Sequence, residues 1–249
     1  MGELVRLDIT NQVATITLDS QHNRNALSAQ LVNELTECVS SATAPGVRAV
    51  VLRHEGPAFC SGGDLKERGT GDIPDSRPLI NAMIGLMDCE MPTIAVVNGA
   101  VRAGGVGLMA ACDLVVVARQ VTFALTEIRI GVAPAIISVP IMRRVAPARL
   151  AGPYLTGEAF TAEQALSMGL VTHVSDDVEE TVAALCAGIT AGAPRAVAQA
   201  KRLLREVPDM DRQSAFNAMQ SLSESMFRGP DAQEGMLAFR EKRSPNWPT

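Results

Sequence analysis

The stretch VRAGGVGLMAACD, residues 101–113, places three glycines between an apolar, strand-like segment and a segment of helical character. Glycine has no side chain, so a cluster of glycines at the end of a strand lets other atoms approach bare backbone N–H groups. Two kinds of site need such a backbone. One is a cradle for the phosphates of a nucleotide, and the other is a pocket for the negative charge that develops on a carbonyl oxygen.

The composition is that of a globular protein without a strongly basic surface. The chain has 249 residues, of which 47% are hydrophobic and 20% charged, and its formal net charge is −5. This length suits one large domain, and the acidic balance argues against a nucleic-acid partner. Five cysteines are scattered without a CxxC pair, which indicates reduced thiols, a cytoplasmic location and no metal site. No apolar run approaches the ~18 residues of a spanning helix, so we expect no membrane partner.

Hydrophobic periodicity predicts an α/β core. Residues 4–9 and 13–19 alternate and predict a β-hairpin, and Ser28 is expected to cap a helix. Apolar runs predict three buried strands of a mostly parallel sheet, at residues 47–54, 92–99 and 111–119. Residues 55–64 are expected to form a glycine-bearing loop.

The C-terminal third is predicted to be helical. From residue 134 onward every apolar segment has helical spacing, including one segment across residues 134–155. Thr161 and Gln164 have the spacing of a capping box, and Pro194 is expected at the first position of a helix.

The nucleotide interpretation of the glycine stretch has partial support. Residues 105–110 match the pattern GxGxxA, and Glu127 lies 20 residues after Gly107, where a ribose-binding acid would be expected. However, seven residues (98–104) separate the apolar run that ends at Val97 from the first matching glycine, and the next strand ends at Arg119 instead of an acid. Both features weaken the hypothesis of a dinucleotide oxidoreductase.

The oxyanion interpretation needs two N–H groups that come from two different loops. A second glycine pair, Gly62–Gly63, follows another predicted strand, and a helix is expected to begin near Gly104 or Gly105. Two such loops could together bind the oxygen of a thioester as negative charge builds on it. The alternative is that all these glycines serve only tight turns and close packing.

Six segments taken together are typical of one protein family. They are NRNALS (23–28), RAVVLRHEGPAFCSGGDLKER (48–68), PTIAVVNGAVRAGGVGLMAACDLVVVA (92–118), FALTEIRIGVAP (123–134), LTGEAFTAEQALSMGLVTHV (155–174) and EGMLAFREKR (234–243). With these segments the chain resembles the enoyl-CoA hydratase/isomerase (crotonase) superfamily over about residues 4–247. The resemblance implies an α/β fold with a spiral of ββα units, in which residues 1–190 form the core and residues 191–249 a helical oligomerisation region.

The resemblance also implies site residues and partners. Gly63 and Gly104 match the two oxyanion-hole donors of the family, and Glu127 matches one of its two catalytic glutamates. The implied substrate is an acyl-CoA thioester, so coenzyme A is part of the substrate and no separate cofactor is expected. The implied assembly is a homotrimer or a hexamer that is a dimer of trimers. The implied contacts to coenzyme A are Arg24, Ser61, Lys66, Phe239 and Lys242.

One position departs from the family pattern. Gly107 stands where well-known hydratases have their second glutamate, and GVAPAIIS (131–138) replaces a glycine-rich family segment. One carboxylate could still serve both proton transfers of hydration, which is the function we favour. A single carboxylate also suffices for isomerisation of a 3-enoyl-CoA, and a non-catalytic acyl-CoA binder is a further alternative. Arg102, next to the glycines, is expected to pack outward, with a grip on a substrate carboxylate as the alternative.

Overall fold

The computed structural model describes residues 2–68 and 75–247, and the chain begins with the predicted hairpin. Its antiparallel strands are β1 (Val5–Thr10) and β2 (Val13–Leu18). Asn11 and Gln12 between them have φ angles of 51° and 66°. Positive φ at both central residues is what a tight hairpin turn requires, because its backbone twist then matches that of the strands.

The strands of the described residues form two sheets. The first is a six-stranded sheet with the order β1-β2-β3-β5-β7-β10, parallel from β2 onward. The second has the order β4-β6-β8-β9, and its first three strands are parallel. The remaining strands are β3 (Ala49–His54), β4 (Ala58–Cys60), β5 (Thr93–Val97), β6 (Ala100–Arg102), β7 (Leu114–Ala118), β8 (Thr122–Ala124), β9 (Phe160–Thr161) and β10 (His173–Ser175).

Helices pack on the large sheet, and helices make up most of the C-terminal third. Among the described residues the α-helices are α1 (Ala29–Ser41), α2 (Leu65–Arg68), α3 (Arg77–Asp88), α4 (Gly104–Ala110), α5 (Ser138–Met142), α6 (Pro147–Thr156), α7 (Ala162–Met168), α8 (Val178–Ala191), α9 (Pro194–Glu206), α10 (Arg212–Arg228) and α11 (Pro230–Glu241). The helices on the large sheet are chiefly α1 and α8.

The predicted helix caps are confirmed. The Ser28 hydroxyl accepts a hydrogen bond from the Leu31 N–H at 3.2 Å, at the start of α1. Thr161 and Gln164 form a complete capping box at the start of α7, and Pro194 is the first residue of α9. These local signals work because the first turn of a helix leaves N–H groups without an intrahelical partner, and a nearby Ser or Thr hydroxyl can accept from one of them.

Two expectations about secondary structure are wrong. Residues 55–64 are not only a loop, because β4 lies within them, buried and paired with β6. The segment 134–155 forms two helices instead of one, since α5 ends at Met142 and Pro147 begins α6. The C-terminal third also contains the short strands β9 and β10. Strands of two or three residues are too short to produce a periodic signal, and their pairing partners are distant in sequence.

The core lies between the large sheet and the helices packed on it, and α9 is attached to this core by a buried ion pair. The Lys201 ammonium, 5% exposed, lies 2.7 Å from an Asp113 carboxylate oxygen and also donates to the carbonyls of Leu86 and Met91. The predicted boundary at residues 190 and 191 falls at the end of α8. The outer limits of that division, residues 1 and 249, lie outside the described residues.

No single helix in the described ranges is both long enough and apolar enough to cross a membrane. The helical segments Val178–Ala191 and Pro194–Asp209 meet those criteria only as a pair, and they are bent by 113° relative to each other.

Candidate active site

Three parallel strands of the small sheet bring the predicted site residues to one edge. β4 leads into Gly62–Gly63, β6 into Gly104, and β8 into Glu127. The register aligns β4 with β6 and β6 with β8. Because the carboxyl ends of parallel strands meet at the same edge of a sheet, the loops that follow them surround a common space, which is where ligands bind in such sheets.

The two glycine loops pack directly against each other. The Gly62 N–H donates to the Cys60 Sγ at 3.4 Å. A Cβ atom on Gly105 would lie 2.5 Å from the Cys60 Cβ, and one on Gly62 would lie 3.1 Å from the Ala103 Cβ. Glycine is therefore required here by close approach. Burial raises the pKa of the Cys60 thiol to about 12, so this residue is a neutral packing group.

The amides of Gly63 and Gly104 are available to a ligand. Across residues 2–68 and 75–247, neither N–H donates to a protein acceptor. Leu27 lies beside both glycines: it pairs with Gly63 in an isolated bridge, and a Cβ on Gly104 would lie 2.6 Å from its Cδ1. The two amides thus belong to loops that share an apolar neighbour.

Glu127 lies in a 3-10 helix, Thr126–Ile130, that begins two residues after β8. The end of β8 is joined to the Gly104 loop, because the Ala103 N–H donates to the Ala124 carbonyl at 2.9 Å. Its Oε2 is buried and has no hydrogen-bond partner among the described residues. Burial raises the pKa of this carboxyl group above its usual value. A buried carboxylate oxygen without a partner is costly, and such groups with raised pKa values are typical of sites that transfer protons.

The space at Gly107 is filled by Ile137. A Cβ on Gly107 would lie 2.4 Å from the Cγ2 of Ile137, 2.5 Å from its Cβ and 3.0 Å from its Cα. Ile137 is only 3% exposed. A side chain at position 107 would displace the backbone at Ile137, at the start of α5. At the position where the family pattern has a glutamate, this chain therefore combines Gly107 with Ile137, whose side chain occupies the space that Gly107 leaves.

Two hydroxyl groups near Glu127 were not identified by sequence analysis. The Ser138 hydroxyl donates to the Pro134 carbonyl at 2.6 Å, and the Tyr154 hydroxyl lies 3.1 Å from the Ser138 Oγ. Burial raises the pKa of Tyr154, and the charge of Glu127 raises it as well. No motif marks these residues, because Tyr154 and Glu127 are brought together only by the packing of α6 on the 3-10 helix.

Three of the residues predicted to contact coenzyme A form one surface cluster. The Ser61 N–H donates to the Arg24 carbonyl at 3.1 Å, and the Ser61 hydroxyl donates to the Asn23 carbonyl at 3.0 Å. Asp64 joins this loop to α2, since its carboxylate accepts from the Asn23 amide and from the Lys66 N–H. Arg24 and Lys66 are exposed, and in the described part of the chain neither forms an ion pair.

The other two predicted contacts lie elsewhere in the protomer. Phe239 is in α11 and is 85% exposed, and Lys242 follows the end of that helix. α11 packs on α10, and Trp247 donates from Nε1 to the Ala191 carbonyl. No hydrogen bond between described residues joins Phe239 or Lys242 to the Arg24 cluster, and their contact with coenzyme A stays a prediction.

Arg102 does not pack outward as expected. Its guanidinium is half-buried and donates to the Thr122 carbonyl at 2.6 Å and to the Thr122 hydroxyl at 3.0 Å. Arg102 thereby joins β6 to β8 and has a structural role. β6 leads into α4 through a single residue, and Gly105 and Gly107 both lie inside α4. In a dinucleotide fingerprint the first glycine instead forms the turn that precedes the helix.

The fold is shared with enoyl-CoA hydratases of known structure. An enoyl-CoA hydratase of Mycobacterium smegmatis matches with a TM-score of 0.91 and 32% identity, and all of both chains is covered. One from Mycobacterium avium matches with a TM-score of 0.75 and 39% identity, again over all of both chains. This similarity defines a crotonase-type fold, and the predicted fold class is confirmed.

The sequence comparisons show the family as well. The family model for enoyl-CoA hydratase/isomerase matches residues 8–249. A carnitinyl-CoA dehydratase of Salmonella arizonae is 32% identical over 259 residues, which cover 99% of each protein. The chain belongs to the enoyl-CoA hydratase/isomerase family and is an enzyme of that family.

Proposed function

We propose that this enzyme adds water to the double bond of a 2-enoyl-CoA thioester. The observation that carries the proposal is the buried, unpartnered Oε2 of Glu127 at the same sheet edge as the two available glycine amides. A carboxylate with a raised pKa is suited to take a proton and return it. The name of one relative, carnitinyl-CoA dehydratase, refers to the removal of water, the reverse of this reaction type.

In this mechanism the N–H groups of Gly63 and Gly104 donate to the thioester carbonyl oxygen. Glu127 takes a proton from a water molecule while the water oxygen bonds to C3, and the electron pair of the double bond moves toward the carbonyl. Negative charge then develops on the oxygen between the two amides, each of which contributes about 3–4 kcal/mol of stabilisation. Glu127 finally delivers its proton to C2, which gives a 3-hydroxyacyl-CoA and restores the carboxylate.

The coenzyme A moiety is the second part of the proposal. The exposed Arg24 and Lys66, with Ser61 between them in the fold, provide positive charge for its phosphates. Phe239 and Lys242 would contact the same moiety from a neighbouring protomer in a trimer or a dimer of trimers. We propose no separate cofactor, and we propose a cytoplasmic location.

The test is the turnover of purified enzyme on a panel of 2-enoyl-CoA and 3-enoyl-CoA thioesters. We expect hydration of 2-enoyl substrates, and we expect Glu127→Gln to lower its kcat by about 100-fold or more, because the amide cannot accept the proton. Glu158→Gln, a change at an exposed carboxylate, is the matched control and should leave kcat unchanged. Full hydration by Glu127→Gln would refute the mechanism.

The same panel separates the alternatives. A lone carboxylate next to the filled position 107 is also compatible with isomerisation, in which one proton moves between two carbons without water. Conversion of 3-enoyl-CoA without hydration would identify an isomerase. Tight binding of the thioesters with no conversion of any of them would identify a non-catalytic binder.

A further inference from the structure

We infer that the Tyr154 hydroxyl oxygen is a second acceptor for the water that Glu127 activates, held in that role by Ser138. This inference rests on the proposed hydration and adds a residue to it. A water molecule has two hydrogens, and a general base takes only one of them. The orientation of the molecule at C3 therefore requires a second acceptor near the base.

The direction of the hydrogen bonds leaves the Tyr154 oxygen free to accept. Ser138 has one hydroxyl hydrogen, and its 2.6 Å bond to the Pro134 carbonyl uses that hydrogen. Toward Tyr154 the Ser138 oxygen can then only accept, so the phenol donates its hydrogen across the 3.1 Å contact. The phenol oxygen keeps its lone pairs for another donor.

The fold holds the phenol near the carboxylate but not in contact with it. Arg129, two residues after Glu127, donates to the Thr156 carbonyl at 3.1 Å and so fixes the end of α6, which carries Tyr154. The charge of Glu127 acts on the phenol. No direct hydrogen bond joins the two side chains within the described structure. Two neighbouring acceptor oxygens of this kind are bridged well by a molecule that donates two hydrogens, as water does.

Position 107, where the family pattern has a second carboxylate, offers no such acceptor within the described structure. Gly107 has no side chain, and the atoms that fill the adjacent space are the aliphatic atoms of Ile137. The pair formed by Ser138 and Tyr154 therefore supplies the polar contact that a second carboxylate would otherwise provide. In isomerisation no water has to be oriented, so this pair matters for hydration in particular.

The first test uses Tyr154→Phe, which removes only the hydroxyl group. We expect kcat for hydration of a 2-enoyl-CoA to fall about 10- to 100-fold, with KM changed by less than about twofold, because one oriented hydrogen bond is lost. The exchange of the C2 proton of an acyl-CoA product analogue with solvent deuterium, which needs Glu127 but no oriented water, should change by less than about threefold. Ser167→Ala, which removes an exposed hydroxyl on α7, is the control.

The outcomes of that test are distinct. If Tyr154→Phe hydrates more slowly but still exchanges the C2 proton at the normal rate, the inference is supported. Equal loss of both rates would show that Tyr154 is merely structural, and unchanged hydration would also overturn the inference. If Glu127→Gln hydrates at the normal rate, the proposed function fails, whatever Tyr154→Phe does.

A second test needs no turnover. Tyr154 is the only tyrosine of the chain, so an ultraviolet absorbance titration reports its phenol alone. Because the charge of Glu127 opposes ionisation of the phenol, Glu127→Gln should lower the pKa of Tyr154, whereas Glu158→Gln should leave it unchanged. An identical phenol titration in the wild type and in Glu127→Gln would contradict the placement on which the inference depends.

Discussion

A single methyl group at position 107 is expected to destabilise the protein, although it lies inside a helix where alanine is normally favoured. The added Cβ of Gly107→Ala would lie 2.5 Å from the Cβ of Ile137 and 3.0 Å from its Cα. These atoms cannot be moved by a change of rotamer, so the backbones of α4 and α5 must separate. Overpacking of this kind costs about 1–3 kcal/mol. Because one of the opposing atoms is backbone, we expect this cost to exceed the gain in helix propensity of about 1 kcal/mol.

The assay is a double-mutant cycle by chemical and thermal denaturation. A net loss of 1 kcal/mol corresponds to a decrease in Tm of about 2–4 °C for a protein of this size. Ile137→Gly removes the two nearest opposing atoms, Cβ and Cγ2, but leaves the Cα at 3.0 Å, and by itself it should cost at least the 2–5 kcal/mol typical of a large core truncation. In that background Gly107→Ala should cost less, because its two closest contacts are gone. The two changes should therefore be coupled by at least about 1 kcal/mol.

The matched control is Gly188→Ala, which makes the same substitution within α8. A Cβ at Gly188 meets no atom within 4 Å, so this change should stabilise the protein by about 0.5–1 kcal/mol. If Gly107→Ala is as stable as Gly188→Ala, or if its cost is the same with and without Ile137, then Ile137 does not fill the space at position 107.

Three further predictions concern charged and titrating groups. The Nε2 of buried His54 accepts from the Asn98 N–H at 3.0 Å, and burial lowers the pKa of this imidazole. The neutral imidazole should therefore stabilise the fold fully above the unfolded pKa of about 6.5, and this stabilisation should be lost as pH falls. We expect Tm to depend less on pH between about 7.5 and 5.5 in His54→Gln than in the wild type. Asp113→Ala leaves the Lys201 ammonium buried without its anion and should lower the free energy of unfolding by about 3–5 kcal/mol. Lys201→Met should cost less, because Asp113 then keeps its hydrogen bonds from the N–H and the hydroxyl of Thr93. Urea denaturation of both variants checks this order. Because the pKa of Glu127 is raised and the base must be ionised, kcat/KM for hydration should rise with pH through a pKa above the usual 4.5, and a rising limb at or below 4.5 would contradict the burial of this group.

Much of the fold follows from local signals in the sequence. The N-terminal hairpin, the cap at Ser28 and the capping box at Thr161 depend on residues within a few positions of each other, and all were predicted. The short strand β4 and the two helices within residues 134–155 were not. β4 is a strand only because β6 lies beside it, and a three-residue segment cannot show that partner in its own pattern.

The sequence by itself determined where glycines leave the backbone bare, at Gly62–Gly63 and at Gly104, and its resemblance to the family indicated Glu127. The strands that bring these residues to one edge, β4, β6 and β8, have three residues each, and they were not predicted from the sequence. Only the tertiary structure decided what surrounds them. Ile137 closes the space at Gly107, and α6 brings a tyrosine toward Glu127, because contacts between side chains distant in sequence depend on how helices pack and not on the propensities of their own segments.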